Sequence, residues 1–352
     1  MKILILGGTG AMGAHLVKVL AGNGHSVYVT SRSMHKPQSQ ISYILGNAQD
    51  YAFLKGILKR RWDVIVDFML YSTSSFERRL DCLLDATEQY VYISSSRVYA
   101  NSEELITEDS PRLLDVTTDS VYLSTEEYAL SKARQENLLF NSRKSNWTII
   151  RPYITYSEEK LQLGGLQIEA WLYRALHNRP IAFSVDINSK VTTLTYGLDV
   201  AKGISAIIGE KNALGEAFHI TSQDSVIWKD VLSTYINVLG AHFGKKPEVI
   251  LQSMEQFSAW NTGKYQIKYD RLFNRRFDNS KIEKYVDTSD FVDTATGLRM
   301  CLESFLESPK FIWLDWRKEA IKDRQLNVRA PLTELPGLKQ KIKYFIFRNT
   351  PI

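Results

Sequence analysis

Seven residues that follow the first apolar run, Gly7-Gly8-Thr9-Gly10-Ala11-Met12-Gly13, leave this chain few choices of fold. The run Lys2–Leu6 has the apolar character of a strand buried on both faces, and Ala11–Ala21 carries helical periodicity. A strand that passes into a helix through such a segment uses each glycine differently. Gly7 permits the tight turn, Gly10 lets the backbone approach a ligand with no Cβ in the way, and Gly13 allows the helix to pack close on the strand. The exposed amides at the helix start, in the stretch Thr9, Ala11 and Met12, attract negative charge, which predicts a pyrophosphate there.

Downstream, apolar runs at His25–Thr30, Ile41–Leu45, Val64–Met69, Tyr90–Ser94 and Trp147–Ile150 alternate with charged helical segments at Tyr51–Arg60, Ser75–Thr87 and Glu127–Ser142. This rhythm predicts an α/β fold, a doubly wound parallel sheet of the Rossmann type, over residues 1–160. Past Arg151-Pro152 the rhythm loosens into a helix at Leu166–His177, a β-like segment at Lys190–Thr195 and a helix opening near Asp199. A smaller C-terminal substrate-binding lobe is expected over 161–309, with the chain returning to the sheet around 185–225 and a basic extension over 310–352.

The 352 residues, 44% hydrophobic and 24% charged, have the balance of an ordinary globular protein and contain no internal repeat. Two cysteines, Cys82 and Cys301, form neither a disulfide framework nor a four-cysteine zinc site, which fits the cytoplasm. The six histidines lack metal-ligand spacing, so no metal is expected. The N-terminal apolar run is too short for a signal core or a membrane span. From Lys310 onward ten Lys or Arg face four Asp or Glu, an excess of six against a net +5 for the whole chain. Such a tail fits a solvated face or an oligomer contact first, and peripheral contact with a membrane surface or a polyanion second.

The end of the second strand reads Val29-Thr30-Ser31-Arg32-Ser33. A carboxylate there would bond a ribose 2′-hydroxyl and repel a 2′-phosphate. None is present, and Arg32 beside Ser31 pairs with a phosphate, so NADP is favoured over NAD.

Tyr128-Ala129-Leu130-Ser131-Lys132 places a phenol and an ammonium on one helix face. Tyr51 and Lys55 repeat the spacing, but only Tyr128 follows a hydroxyl-rich strand end, Ser94-Ser95-Ser96-Arg97-Val98-Tyr99. A phenol exchanges protons near neutral pH only where positive charge stabilises its phenolate, the task expected of Lys132. A serine hydroxyl can then hold the substrate oxygen.

Together these residues resemble the extended short-chain dehydrogenase/reductases, the NAD-dependent epimerase/dehydratase family, over most of residues 1–307. The likeness rests on the glycine segment, Ser-Ser-Ser-x-Val-Tyr at 94–99, Tyr-x-x-Ser-Lys-x-x-x-Glu at 128–136, Ile-Arg-Pro at 150–152, Asp-Val-Ala at 199–201 and Phe-Asp-Asn-Ser-Lys at 277–281. The resemblance implies Ser95 as the catalytic hydroxyl, with Ser94 and Ser96 as alternatives, Tyr128 as acid and base, and Lys132 on the nicotinamide ribose. It further implies Asn47 and Ala48 near the adenine, and Phe68 and Met69 beside the cofactor.

The chain departs from the family pattern in places. Sugar dehydratases carry Asp-Glu after the catalytic hydroxyl where this chain has Ser96-Arg97, which disfavours dehydration. UDP-sugar epimerases commonly carry Asn and Arg where it has Ile154 and Thr192; Lys190, Arg271, Arg275 and Arg276 are candidate replacement charges. Tyr71, Tyr153 and Tyr156 near strand ends, with Ser96, are candidate substrate walls. The expected activity is an NADP-dependent reduction at a keto or hydroxyl group of a sugar-like, nucleotide-activated substrate, by a homodimer. The competing readings are an NAD-dependent epimerase and a non-catalytic dinucleotide- and RNA-binding protein; the intact Ser-Tyr-Lys set argues against the last.

Overall fold

The computed structural model describes residues 1–36 and 38–350. The last two residues of the expected extension therefore lie outside the described residues. The chain divides into two compact units, each built from separate stretches. The first comprises Met1–Ser157, Thr193–Ser225 and Arg275–Thr294; the second comprises Glu158–Thr192, Val226–Asn274 and Ala295–Ile352.

The first unit is a seven-stranded, wholly parallel sheet. Its strands and main helices are β1 (Lys2–Leu6), α1 (Gly13–Gly22), β2 (Ser26–Ser31), β3 (Ile41–Leu45), α2 (Tyr51–Ile57), β4 (Trp62–Asp67), α3 (Thr73–Asp85), β5 (Thr87–Ile93), α4 (Tyr128–Phe140), β6 (Trp147–Pro152), α5 (Gly197–Ile207) and β7 (Glu216–Ile220). Spatial order is β7-β6-β5-β4-β1-β2-β3. Strand order therefore reverses between β1 and β4, and a crevice opens outside the carboxyl ends of that pair.

Side chains on the two faces of the sheet feed separate apolar clusters. Ile3, Ile5, Val27, Val29, Val64 and Val66 pack against Leu16, Val17 and Leu20 of α1 and Val200, Ile204 and Ile207 of α5. Leu4, Leu6, Ile65, Tyr90 and Tyr92 pack against Leu54 and against Phe76, Leu80 and Leu83 of α3. Burial on both faces explains why these strands read as continuous apolar runs.

The unit boundaries differ from the sequence expectation in three respects. The first stretch ends at Ser157, the chain returns at 193–225, and a second return at 275–294 was not foreseen. The residues after 310 are not an appendage, because they pack within the second unit. There α6 (Trp316–Gln325) and α7 (Gly337–Asn349) share a cluster of Trp316, Ala320, Leu335 and Tyr344 with Tyr173.

Candidate functional site

The glycine segment lies at the β1/β4 switch. Gly7 has φ +73°, and a Cβ there would stand 2.8 Å from Met69 Sδ. The Phe68 amide donates to Leu6 O at 2.9 Å, so Phe68 and Met69 leave β4 alongside the turn that leaves β1. At Gly13 a Cβ would meet Gly8 Cα at 2.7 Å, whereas at Gly10 it would meet nothing within 4 Å. The second glycine thus borders open space at the start of α1, the gap a pyrophosphate requires. Thr9 is exposed, Ala11 and Met12 are half-buried, and Met12 Sδ accepts from Thr155 Oγ1 at 3.4 Å. These residues fit a bound dinucleotide.

At the end of β2, Ser31 is buried, its Oγ bonded to His35 Nε2 at 2.8 Å, and Arg32 is exposed. After β3, Asn47 is exposed and uses its side-chain oxygen to accept from Gln49 N, while Ala48 is buried in the apolar cluster.

The polar constellation is assembled from the end of β5 and the start of α4. Ser95 caps a single 3-10 turn, Ser96–Val98, by accepting from Arg97 N at 3.2 Å. Tyr128 opens α4, whose N-cap Glu127 accepts from Ala129 N at 2.8 Å. The Ser95 hydroxyl stands near enough to the Tyr128 phenol to favour its ionised form. The other two serines are committed elsewhere: Ser94 donates to Glu136 Oε1 at 2.6 Å, and Ser96 donates to Arg151 O at 2.7 Å. Glu136 in turn pairs with Arg151 at 2.8 Å and Arg112 at 3.1 Å, so the glutamate of the Tyr-x-x-Ser-Lys-x-x-x-Glu pattern is a buried structural anchor.

One turn beyond Tyr128, Lys132 is buried. Its Nζ donates to Ile93 O at 2.7 Å and lies 4.5 Å from the centre of the Tyr92 ring. Burial lowers its pKa to about 8, against the pull of Asp67 and Glu136. Asp67, at the end of β4, is itself fully buried, accepting from Tyr90 at 2.9 Å, Tyr71 at 3.1 Å and Met69 N at 2.9 Å. Desolvation raises its carboxyl pKa despite these donors and Lys132.

Burial also raises the Tyr128 phenol above its ordinary value; Arg97 and the Ser95 hydroxyl oppose the rise, and Glu127 adds to it. The residue keeps 37% of its surface open, so it borders solvent.

Several candidate substrate residues take other roles. Tyr71 turns inward to Asp67 under the Arg79 guanidinium, 4.4 Å from its ring centre. Tyr153 is buried against Phe277, ring centres 5.3 Å apart. Tyr156 is likewise buried, stacked on Tyr196. Ser96 is consumed by its bond to Arg151 O. In the second unit, Arg271 is buried in an ion pair with Asp270 and donates to Gly164 O at 3.0 Å, while Lys190 is half-exposed.

Two residues at the phenol escaped the sequence reading as site members. Arg97 pairs with Glu127 at 2.6 Å and carries its guanidinium 5.1 Å from the Tyr128 ring centre; Tyr122 OH also donates to Glu127, at 3.1 Å. The available signal was a cation directly after the serine run and an acid directly before Tyr128, which is the N-cap position of a helix.

A sheet reversing at β1/β4 with a glycine turn and a Ser-Tyr-Lys set defines a nicotinamide-dinucleotide enzyme of the short-chain dehydrogenase/reductase type. The chain belongs to the NAD dependent epimerase/dehydratase family, whose profile matches residues 3–221. Among curated proteins it is similar to the chloroplast stem-loop binding protein of 41 kDa b of Arabidopsis thaliana, 27% identical over 73% of this chain and 67% of that one. Among solved structures it is similar to UDP-glucuronic acid 4-epimerase from Bacillus cereus in complex with UDP-glucuronic acid and NAD, with a TM-score of 0.65, 19% identity and coverage of 87% and 99% of the two chains. It is also similar to dTDP-glucose 4,6-dehydratase from Bacillus anthracis in complex with NAD, with a TM-score of 0.64, 16% identity and coverage of 88% and 97%. Among the described residues no helix is long and apolar enough to cross a membrane.

Proposed function

We propose that the chain is an NADP-dependent oxidoreductase acting on a keto or hydroxyl group of a nucleotide-activated sugar, in the cytoplasm and as a homodimer. The observation that carries this reading is the set brought together at the end of β5 and the start of α4: Ser95, whose hydroxyl favours the Tyr128 phenolate, Tyr128 itself, and Lys132 one helical turn on. A bound nicotinamide supplies or accepts the hydride. Ser95 orients the substrate oxygen, and Tyr128 gives that oxygen its proton in reduction or takes it in oxidation. Arg97 supplies the positive charge that a phenolate requires, and Lys132, one turn on, is left to hold the nicotinamide ribose.

Three observations favour this reading over its neighbours. Arg97 stands where the resemblance implies the dehydratase glutamate, and a guanidinium does not remove protons at neutral pH. No carboxylate stands at Thr30–Ser33, and Arg32 is exposed beside Ser31 and Ser33, which suits a 2′-phosphate. Structural relatives hold UDP-glucuronic acid or UDP-glucose beside NAD, which supports a nucleotide-sugar as substrate class.

The test is incubation of the purified protein with NADPH or NADH and a panel of oxidised sugar nucleotides. Net oxidation of NADPH is expected, and Tyr128→Phe lowers it by about 10²–10⁴ while dinucleotide affinity stays within a few-fold. Interconversion of sugar epimers without net cofactor turnover would assign the chain to the epimerases. Salt-dependent RNA binding with no hydride exchange would instead make it a non-catalytic dinucleotide- and RNA-binding protein.

A further inference from the structure

The helix α7 is held to its own unit by one face only. Tyr344 is 1% exposed, donating its hydroxyl to Asp323 Oδ2 at 2.6 Å and accepting from Ala330 N at 2.8 Å. Phe347 packs beside it, and its carbonyl accepts from Arg324 at 3.1 Å. The opposite face is apolar and open. Leu338 is 73% exposed, Ile342 52%, Phe345 59% and Ile346 42%. These positions run i, i+4, i+7, i+8 and form a single stripe along the helix.

Charge is arranged about that stripe. At 100° per residue, Lys339 and Lys343 stand on one flank, Lys341 and Arg348 on the other, and the helix contains no Asp or Glu. Lys339 is exposed and Lys341 and Lys343 half-exposed, while Arg348 is tethered through Nε to Val328 O at 2.9 Å.

We propose that the outer face of α7 docks on an anionic lipid bilayer, with Leu338, Ile342, Phe345 and Ile346 in the headgroup boundary and the lysines on lipid phosphates. A row of large apolar side chains between two cationic rows is the pattern of a helix lying in a membrane surface. A second copy laid against this stripe would bring lysine rows together, which like-charge repulsion opposes. A nucleic acid would satisfy the lysines and leave Phe345 and its neighbours in water.

The experiment is co-sedimentation of the full chain with phosphatidylcholine vesicles, with and without phosphatidylglycerol. Sedimentation is expected with the anionic vesicles only, weakening as salt rises. Ile342→Asp and Phe345→Asp abolish it, and Lys339→Gln or Lys343→Gln each lower partitioning roughly five-fold. Near-ultraviolet circular dichroism checks that the variants keep their fold, which the exposure of these positions leads one to expect. The proposal is overturned by failure to bind anionic vesicles or by binding that survives Phe345→Asp. A concentration-dependent dimer that Ile342→Asp dissolves, in a chain indifferent to vesicles, would give the stripe to a second copy. RNA binding lost on lysine substitution, without vesicle binding, would likewise overturn it.

Discussion

Arg97 carries its guanidinium 5.1 Å from the centre of the Tyr128 ring and is pinned there by Glu127, the residue that caps the helix Tyr128 begins. One ion pair therefore fixes the start of α4 and places a permanent cation beside the phenol. Lys132, on the same helix, is drawn toward Ile93 O and Asp67, over the ring of Tyr92 in β5.

Removing that cation moves Tyr128 in a known direction. Arg97 opposes the rise that desolvation imposes, so Arg97→Gln shifts phenol ionisation to higher pH, and Arg97→Lys restores part of the difference. Tyrosinate absorbance, taken as the difference between each protein and its Tyr128→Phe counterpart, reads this without substrate. Identical titrations in parent and Arg97→Gln would deny the guanidinium any electrostatic role.

The glycines separate binding from stability. A methyl group at Gly10 meets no atom, so Gly10→Ala leaves urea unfolding of the free protein nearly unchanged but lowers dinucleotide affinity about ten-fold or more by blocking phosphate approach. At Gly13 the added Cβ would strike Gly8 Cα at 2.7 Å, and the substitution costs about 1–3 kcal/mol before any ligand is added. Paired unfolding and dinucleotide titration measure both; equal stability losses would contradict the packing described.

Arg32 is the test of cofactor choice. Arg32→Ala raises the Kd for NADPH about ten-fold and leaves that for NADH within two-fold, because only the former loses a charge-assisted bond. Fluorescence titration with both reduced dinucleotides suffices. Parallel losses for the two would assign Arg32 to the shared part of the cofactor.

Lys132 gives the protein a pH-dependent stability of predictable sign. In the unfolded chain a lysine holds its proton to about 10.4, but folded Lys132 releases it at about 8. Between these values the unfolded state binds more protons, so stability rises with pH by up to about 1.4 kcal/mol per unit from this group. Lys322, also lowered to about 8 by burial, contributes with the same sign, so the measurement is the difference in urea midpoint between parent and Lys132→Met across that range. A parent and variant that respond alike to pH would refute the assignment.

Legibility in the sequence followed burial. Strands β1, β4, β5 and β6 announced themselves because buried apolar residues occupy both faces. The seventh, Glu216–Ile220, went unread because His219 interrupts it; the buried imidazole meets Asp278 O at 2.6 Å and Tyr99 OH at 3.4 Å, and the backbone amide donates to Glu108 at 3.0 Å, partners remote in sequence. Helix α6 was hidden for a similar reason. Glu319, Lys322 and Asp323 look like a solvated face, yet all three are buried, the two acids on Arg174 at 2.8 and 2.6 Å. Tyr128, Lys132 and the serine run were visible as a pattern, whereas Arg97 and Glu127 matter through a 3-10 turn and a helix cap that spacing does not reveal.

The interleaving of the two units governs how the protein can be made. A nascent chain up to Thr192 holds six strands of the sheet and leaves β6, buried along its whole length in the finished protein, without its outer neighbour. Until Ile220 clears the ribosome, an apolar edge stands open to any passing strand, and the last stretch of the first unit, Arg275–Thr294, arrives later still. Synthesis therefore includes an interval of exposure to aggregation, and no cut of the gene at a single point separates the two units with both intact.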